Sequence, residues 1–90
     1  MNENYSQVGA VTTPHVTSLD QLAEGSIATL VKVDGLPALR RRLMELGLLP
    51  GTPLRLVRRL DAGGVLELEV RRSRLSLRRN EAARLLVATG

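Results

Sequence analysis

Reactive side chains are scarce in this chain of 90 residues, and that scarcity narrows its chemistry before any fold is considered. His15 is the only histidine, and there is no cysteine. A catalytic zinc site generally uses three protein ligands, and neither a second imidazole nor a thiolate is present to join His15. Nucleophilic catalysis of the Ser–His or Cys–His kind needs a base beside the nucleophile, which the patterned part of the chain lacks. A carboxylate-only iron site at Glu67 and Glu69 is conceivable, but alternation along "VLELEV" places both on the outer face of a strand. No Walker loop, dinucleotide fingerprint or nucleophile elbow occurs, and "DAGG" at 61–64 has the composition of a hairpin turn. The expectation is a protein that is not an enzyme, with no catalytic residues, no cofactor and no metal site.

What the chain has instead is arginine. The net charge is +4, with twelve arginines and a single lysine. Residues 1–17 carry −1 through Glu3, and residues 18–34 carry −2, three acids against Lys32. From residue 35 onward twelve arginines stand against five acids, a surplus of +7. Such a balance attracts nucleic acid, anionic lipid or an acidic protein surface. The densest run, Arg40-Arg41-Arg42, lies in "LRRRLMELGLLPGTPL" at 39–54, and its meaning depends on the element that holds it.

That element reads as a helix. Pro37 suits a first helical position, and Leu36, Leu39, Leu43 and Leu46 recur at helical spacing. Gly47 suits a left-handed C-terminal cap with Leu48 folding back on the last turn, and Pro50-Gly51 suits a type II turn. A stripe through Leu39, Leu43 and Leu46 sends the three arginines in three directions, with Glu45 close enough to compensate Arg41 or Arg42. They form either a solvated helix surface or a phosphate-binding cluster, and the scatter favours the first. Barrel proteins that bind single strands stack bases on aromatic side chains, and here the only aromatic is Tyr5. Nucleic acid is therefore disfavoured as a partner.

Around the helix the pattern is mainly β. Residues 1–17 lack periodicity and read as a flexible tail, with a folded domain over 18–90. Ser18 and Gln21 have capping-box spacing for one helical turn that buries Leu19 and Leu22. "SIATLVKV" at 26–33 reads as a strand, and "TPLRLVRRL", "VLELEVR" and "RLSLRR" read as a three-strand meander. Alternation suggests pairing Val70 with Leu75 and Leu68 with Leu77 across a tight "RS" turn, with an outer row of Arg59, Glu67 and Arg78. Arg58 then falls on the leucine face, so either a bulge intervenes or the strand overruns the end of the barrel. Asn80 is expected to cap a last helical turn before a short strand, "LLVA". Leucine fills 18 positions and Phe and Trp are absent, so the core is aliphatic. Few strands with one apolar face suggest a small closed or nearly closed barrel. No stretch approaches the ~18 apolar residues of a membrane span, and the N-terminus lacks the features of a secretory signal. A cytoplasmic protein without membrane insertion is expected.

The run "GLPALRRRLMELGLLPGTPLRLV", followed by a hairpin and "LSLRRNEAARLLV", resembles the ferrous iron transport protein A (FeoA) family. The resemblance covers residues 18–88. Its most specific pieces are Arg42-Leu43, Glu45 to Leu48, Pro50-Gly51, and Leu77-Arg78 with Glu81-Ala82. It implies a small SH3-like β-barrel with a helix inserted after the first strand. It also implies a cytoplasmic, non-catalytic accessory of the ferrous-iron transporter FeoB, bound through the transporter's cytosolic domain. The same barrel resembles the C-terminal domain of iron-dependent repressors, and a stand-alone barrel of that kind or a basic RNA-binding barrel are the alternatives. For a protein-binding module, Met44, Leu48, Leu49 and Pro50 are candidates for a shallow apolar contact, with Arg40 and Arg41 steering an acidic partner. Leu48 and Leu49 could equally close the barrel mouth.

Overall fold

The computed structural model describes residues 15–89. Six strands, β1 (His15–Ser18), β2 (Ile27–Val33), β3 (Pro53–Leu60), β4 (Val65–Val70), β5 (Ser73–Arg78) and β6 (Leu85–Thr89), form one antiparallel sheet in the order β1-β6-β2-β3-β4-β5. Two short helices, α1 (Pro37–Glu45) and α2 (Arg79–Ala82), and a 3-10 turn at Leu19–Gln21 close over the same core.

Period-two alternation builds that core. Leu54 and Leu56 of β3, Leu66, Leu68 and Val70 of β4, and Leu85 and Val87 of β6 are all buried, while their neighbours in sequence are not. Leu19 and Leu22 from the 3-10 turn plug one side, as expected, and Leu43 reaches in from α1. Each buried leucine contributes about 1.5–3 kcal/mol, so an aliphatic core can hold the domain without disulfides.

Several expectations need correction. Residues 15–17 do not belong to a tail: with Ser18 they form β1, and His15 lies opposite Thr89 on β6. The rest of the predicted tail, 1–14, lies outside the described residues. With β1 counted, the long helix follows the second strand and not the first. Ser18 does not form a capping box with Gln21; its hydroxyl donates to Asp20 Oδ1 at 2.6 Å. The cap of α2 is Arg78 and not Asn80, with Glu81 Oε1 accepting the Arg78 N–H at 2.9 Å.

The hairpin register also differs. Val70 pairs with Ser73, Leu68 with Leu75 and Leu66 with Leu77, a slip of two residues from the expected pairing. The turn is Arg71-Arg72, with Arg71 in the left-handed region at φ 60°. A two-residue slip keeps every side chain on its own face, so the hydrophobic pattern cannot resist it. Between β3 and β4 a bulge at Val57 shifts the register, which resolves the problem of Arg58. Arg58 moves to the outer face opposite Glu67, and Arg59 turns to the face of Leu66. The outer row of ion pairs is therefore Arg58 and Glu67 joined by Arg74; Arg78 stays on that face opposite Val65 without entering the row, and Arg59 leaves it. Arg59 instead closes the end of the barrel, its guanidinium donating to the carbonyls of Asp20 at 2.7 Å and Leu22 at 2.5 Å.

Candidate functional site

The six residues predicted to meet a partner fall on α1 and the turn that follows it. Pro37 opens α1 at its first turn, where a missing N–H does no harm. The helix ends in a Schellman motif. Gly47, at φ 89°, donates to the Met44 carbonyl at 2.9 Å, and Leu48 donates to the Leu43 carbonyl at 2.8 Å. The chain then turns through Leu49-Pro50-Gly51-Thr52, where Thr52 N–H donates to the Leu49 carbonyl at 2.9 Å and Gly51 has φ 91°. Buried Thr52 fixes this turn, its hydroxyl accepting the Leu49 N–H at 3.2 Å and donating to the Gly47 carbonyl at 3.5 Å. Gly51 donates to the Leu30 carbonyl at 2.7 Å, which ties the turn to β2.

This geometry separates the predicted residues into two groups. Arg40, Arg41 and Met44 are exposed, and they lie on one side of α1 because Met44 follows Arg40 by four residues and Arg41 by three. Leu49 and Pro50 are exposed at the turn. Leu48 is not available to a partner. It is 1% exposed, because the Schellman fold-back inserts it into the core. The leucine stripe also differs from its expected role. Leu43 is buried and Leu39 is half-buried, but Leu36 and Leu46 are 69% and 52% exposed. Leu36 precedes the helix in an extended conformation and Leu46 is its terminal cap, so neither rides on the helical face that the wheel assigned. Leu36 and Leu46 thus add to the exposed apolar surface flanking α1. The signal in the sequence was the position of each at the edge of a nine-residue helix, beside Pro37 and Gly47.

The charges around α1 are partly spoken for. Arg42 pairs with Glu81 of α2 at 3.1 Å, and not with Glu45 as the helical spacing suggested. This bridge links α1 to α2. Arg40 and Arg41 make no ion pair with a described residue, so their charge faces outward. On the outer face of the meander, Glu67 bonds Arg58 at 2.6 Å and Arg74 at 3.1 Å. The hydrogen bond from Arg58, then that from Arg74, holds the Glu67 carboxyl below its ordinary range. Glu69 pairs with Arg55 at 3.0 Å. Both glutamates are thus engaged by arginines on a half-exposed strand face. Among the described residues no group of three or more His, Cys, Asp or Glu side chains stands close enough to hold a metal ion. No described helix is long and apolar enough to cross a membrane.

Comparison with known proteins places this geometry. The family model of the FeoA domain matches residues 17–89. No curated protein matches the chain. Among solved structures the chain is similar to the FeoA protein of Chlorobium tepidum, with 37% identity and a TM-score of 0.78, over 81% of this chain and 70% of that one. It is also similar to the FeoA of Stenotrophomonas maltophilia, a procaryotic SH3 domain protein solved in complex with zinc. There the identity is 35% and the TM-score 0.69, over 79% of this chain and 88% of that one. A manganese-dependent transcriptional repressor shares the fold at 20% identity with a TM-score of 0.78, and its matching part is only 46% of its length. The six-stranded sheet with its two short helices is an SH3-like barrel.

Proposed function

Because the chain belongs to the FeoA domain family, matched over residues 17–89, we propose that it is a non-catalytic cytoplasmic accessory of ferrous iron transport that binds the cytosolic domain of a FeoB-type transporter. The observation that carries the reading is the exposed side of α1, where Arg40 and Arg41 flank a half-exposed Met44. Arginines at a rim raise the rate of encounter with an acidic surface, and an adaptable methionine with nearby apolar groups supplies the contact once the surfaces meet. Leu49 and Pro50 extend that contact at the turn beyond the helix. Leu48 works from beneath, by fixing where the turn stands.

The test is co-purification of the protein with the transporter's cytosolic domain, with and without guanine nucleotide. Met44→Asp and Leu49→Asp together are expected to abolish capture while the far-ultraviolet circular dichroism stays that of the parent. Capture at undiminished strength by the double variant would retire this surface. Failure of the parent itself to be captured, with either nucleotide state, would retire the transporter as the partner.

A further inference from the structure

The sheet ends at β5, and among the described residues no strand pairs with its outer edge. The two-residue turn Arg71-Arg72 makes Val70 and Ser73 a hydrogen-bonded pair, and alternation along the ladder decides the rest. Ser73, Leu75 and Leu77 direct their backbone groups to β4, whereas Arg74, Ser76 and Arg78 direct theirs away from the sheet. The Arg78 N–H is engaged by Glu81 at 2.9 Å. The amide groups of Arg74 and Ser76 have no partner among the described residues. Next to this edge, between β5 and α1, runs a groove of about 620 Å³ lined by the apolar Leu46, Val65 and Leu77 and by the charged Arg42, Arg78 and Glu81.

We infer that this edge takes up an extended segment of another protein as a further strand, one with acidic side chains at alternate positions and apolar side chains between them. Strand addition draws affinity from unpaired backbone groups and selectivity from side-chain pockets, and here the edge supplies the first and the adjoining groove the second. Residues of an added strand that share the outer face would stand opposite Arg74, Ser76 and Arg78. That face carries Arg55, Arg58, Arg74 and Arg78 against Glu67 and Glu69, four positive charges to two negative. Acidic residues are favoured there and lysines are repelled. The intervening residues turn toward the groove beside exposed Leu46. Glu81 is an opposing charge in the groove, and Arg42 holds it at 3.1 Å.

The same charges argue against a second copy of this chain as the occupant. Two β5 edges pairing about Ser76 would set Arg74 of each copy against Arg78 of the other, and like charges directly opposed are destabilising. The chain's own residues 1–14 contain one acid, Glu3, which falls short of the alternation. The arginines thus protect the edge from its own kind, as charged edge residues commonly do, while leaving it open to an acidic strand.

Amide hydrogen exchange followed by NMR on the full chain tests the inference, with a capped peptide that alternates glutamate and valine as the probe. The expected result is slowed exchange at Arg74 and Ser76, with binding at least about tenfold weaker for a peptide carrying lysine in place of glutamate. Ser76→Pro removes an outward donor without breaking a bond to β4, so it should abolish the effect and leave the hairpin intact. A peptide N-methylated at alternate positions tests the same bonds without altering the protein. Unchanged exchange at Arg74 and Ser76, or equal binding of the lysine peptide, overturns the proposal. So does protection of these two amides before any peptide is added, since a second copy or the chain's own N-terminal residues would then occupy the edge.

Discussion

Leu48 and Leu49 are adjacent and chemically identical, yet they are 1% and 42% exposed, which makes them a sharp test of how the helix end is built. Truncating a core leucine to alanine destabilises by about 2–5 kcal/mol, transfer and cavity effects together. At about 0.05–0.15 kcal/mol per residue, a domain of this size holds about 4–11 kcal/mol in all. Leu48→Ala therefore removes a large part of the stability, and at about 4–8 °C per kcal/mol a loss of 3 kcal/mol lowers the melting temperature by about 12–24 °C. Leu49→Ala should stay within about 0.5 kcal/mol of the parent. The chain has no tryptophan, so urea unfolding is best followed by far-ultraviolet circular dichroism. The denaturant slope should be equal in the two variants, with only the Leu48→Ala midpoint moved. Equal midpoints, or a larger shift for Leu49→Ala, would show that the fold-back of Leu48 onto Leu43 is not what anchors the turn.

Three other perturbations follow from single contacts. A Cβ at Gly47 meets nothing within 4 Å, so Gly47→Ala should lose only the conformational advantage of glycine at φ 89°, about 1–2 kcal/mol in chemical unfolding, with Gly47→Asn nearer the parent. Arg59→Met leaves the carbonyls of Asp20 and Leu22 without their charged donor, and should lower stability by about 1–3 kcal/mol, whereas Arg58→Met on the exposed face should change it less. Because Glu67 titrates below its ordinary value in the folded state, its stabilisation is complete above the unfolded value and is lost as the pH falls through the folded one. Glu67→Gln should accordingly flatten the acid side of the stability profile, and an acid limb of unaltered slope would place the effect elsewhere.

The most legible parts of the sequence were those where one residue type satisfies one backbone need. Pro37, Gly47 and Pro50-Gly51 marked the start, the end and the exit of α1 correctly, and Leu48 folded back as the cap demands. Strand faces were legible too, because burial alternates with a period of two from Val65 to Val70. Register was not. A pattern of period two is indifferent to a slip of two, and the turn that decides it is Arg71-Arg72, which carries no glycine or asparagine to announce a residue at positive φ. β1 leaves no trace in the hydrophobic pattern because none of its side chains is buried, so its pairing with β6 is a matter of backbone hydrogen bonds. At the candidate site, Met44 is exposed as a contact residue must be, but the leucine stripe is shorter than its spacing suggests, since only Leu39 and Leu43 lie well inside the helix.

The arginine surplus takes on meaning when its uses are separated. Arg42, Arg55, Arg58 and Arg74 pair with Glu81, Glu69 and Glu67, and Arg59 serves backbone carbonyls. Those charges are structural. The arginines without an ion pair to a described residue include Arg40 and Arg41 on α1, Arg71 and Arg72 at the hairpin turn, and Arg78 at the foot of the edge strand. Unpaired like charge works against a compact fold while keeping the protein soluble, and under the proposed function its place beside exposed apolar groups is where an attractive counterpart would bind. A polyanion such as nucleic acid would engage the arginines alone, and its binding would collapse as salt rises. An acidic protein surface with apolar residues among its charges would engage Met44, Leu46 and Leu49 as well. For that partner, raising the salt through a Debye length of about 8 Å should slow association while leaving dissociation little changed. The salt dependence of the two rate constants, measured separately, therefore distinguishes a surface that only attracts from one that also fits.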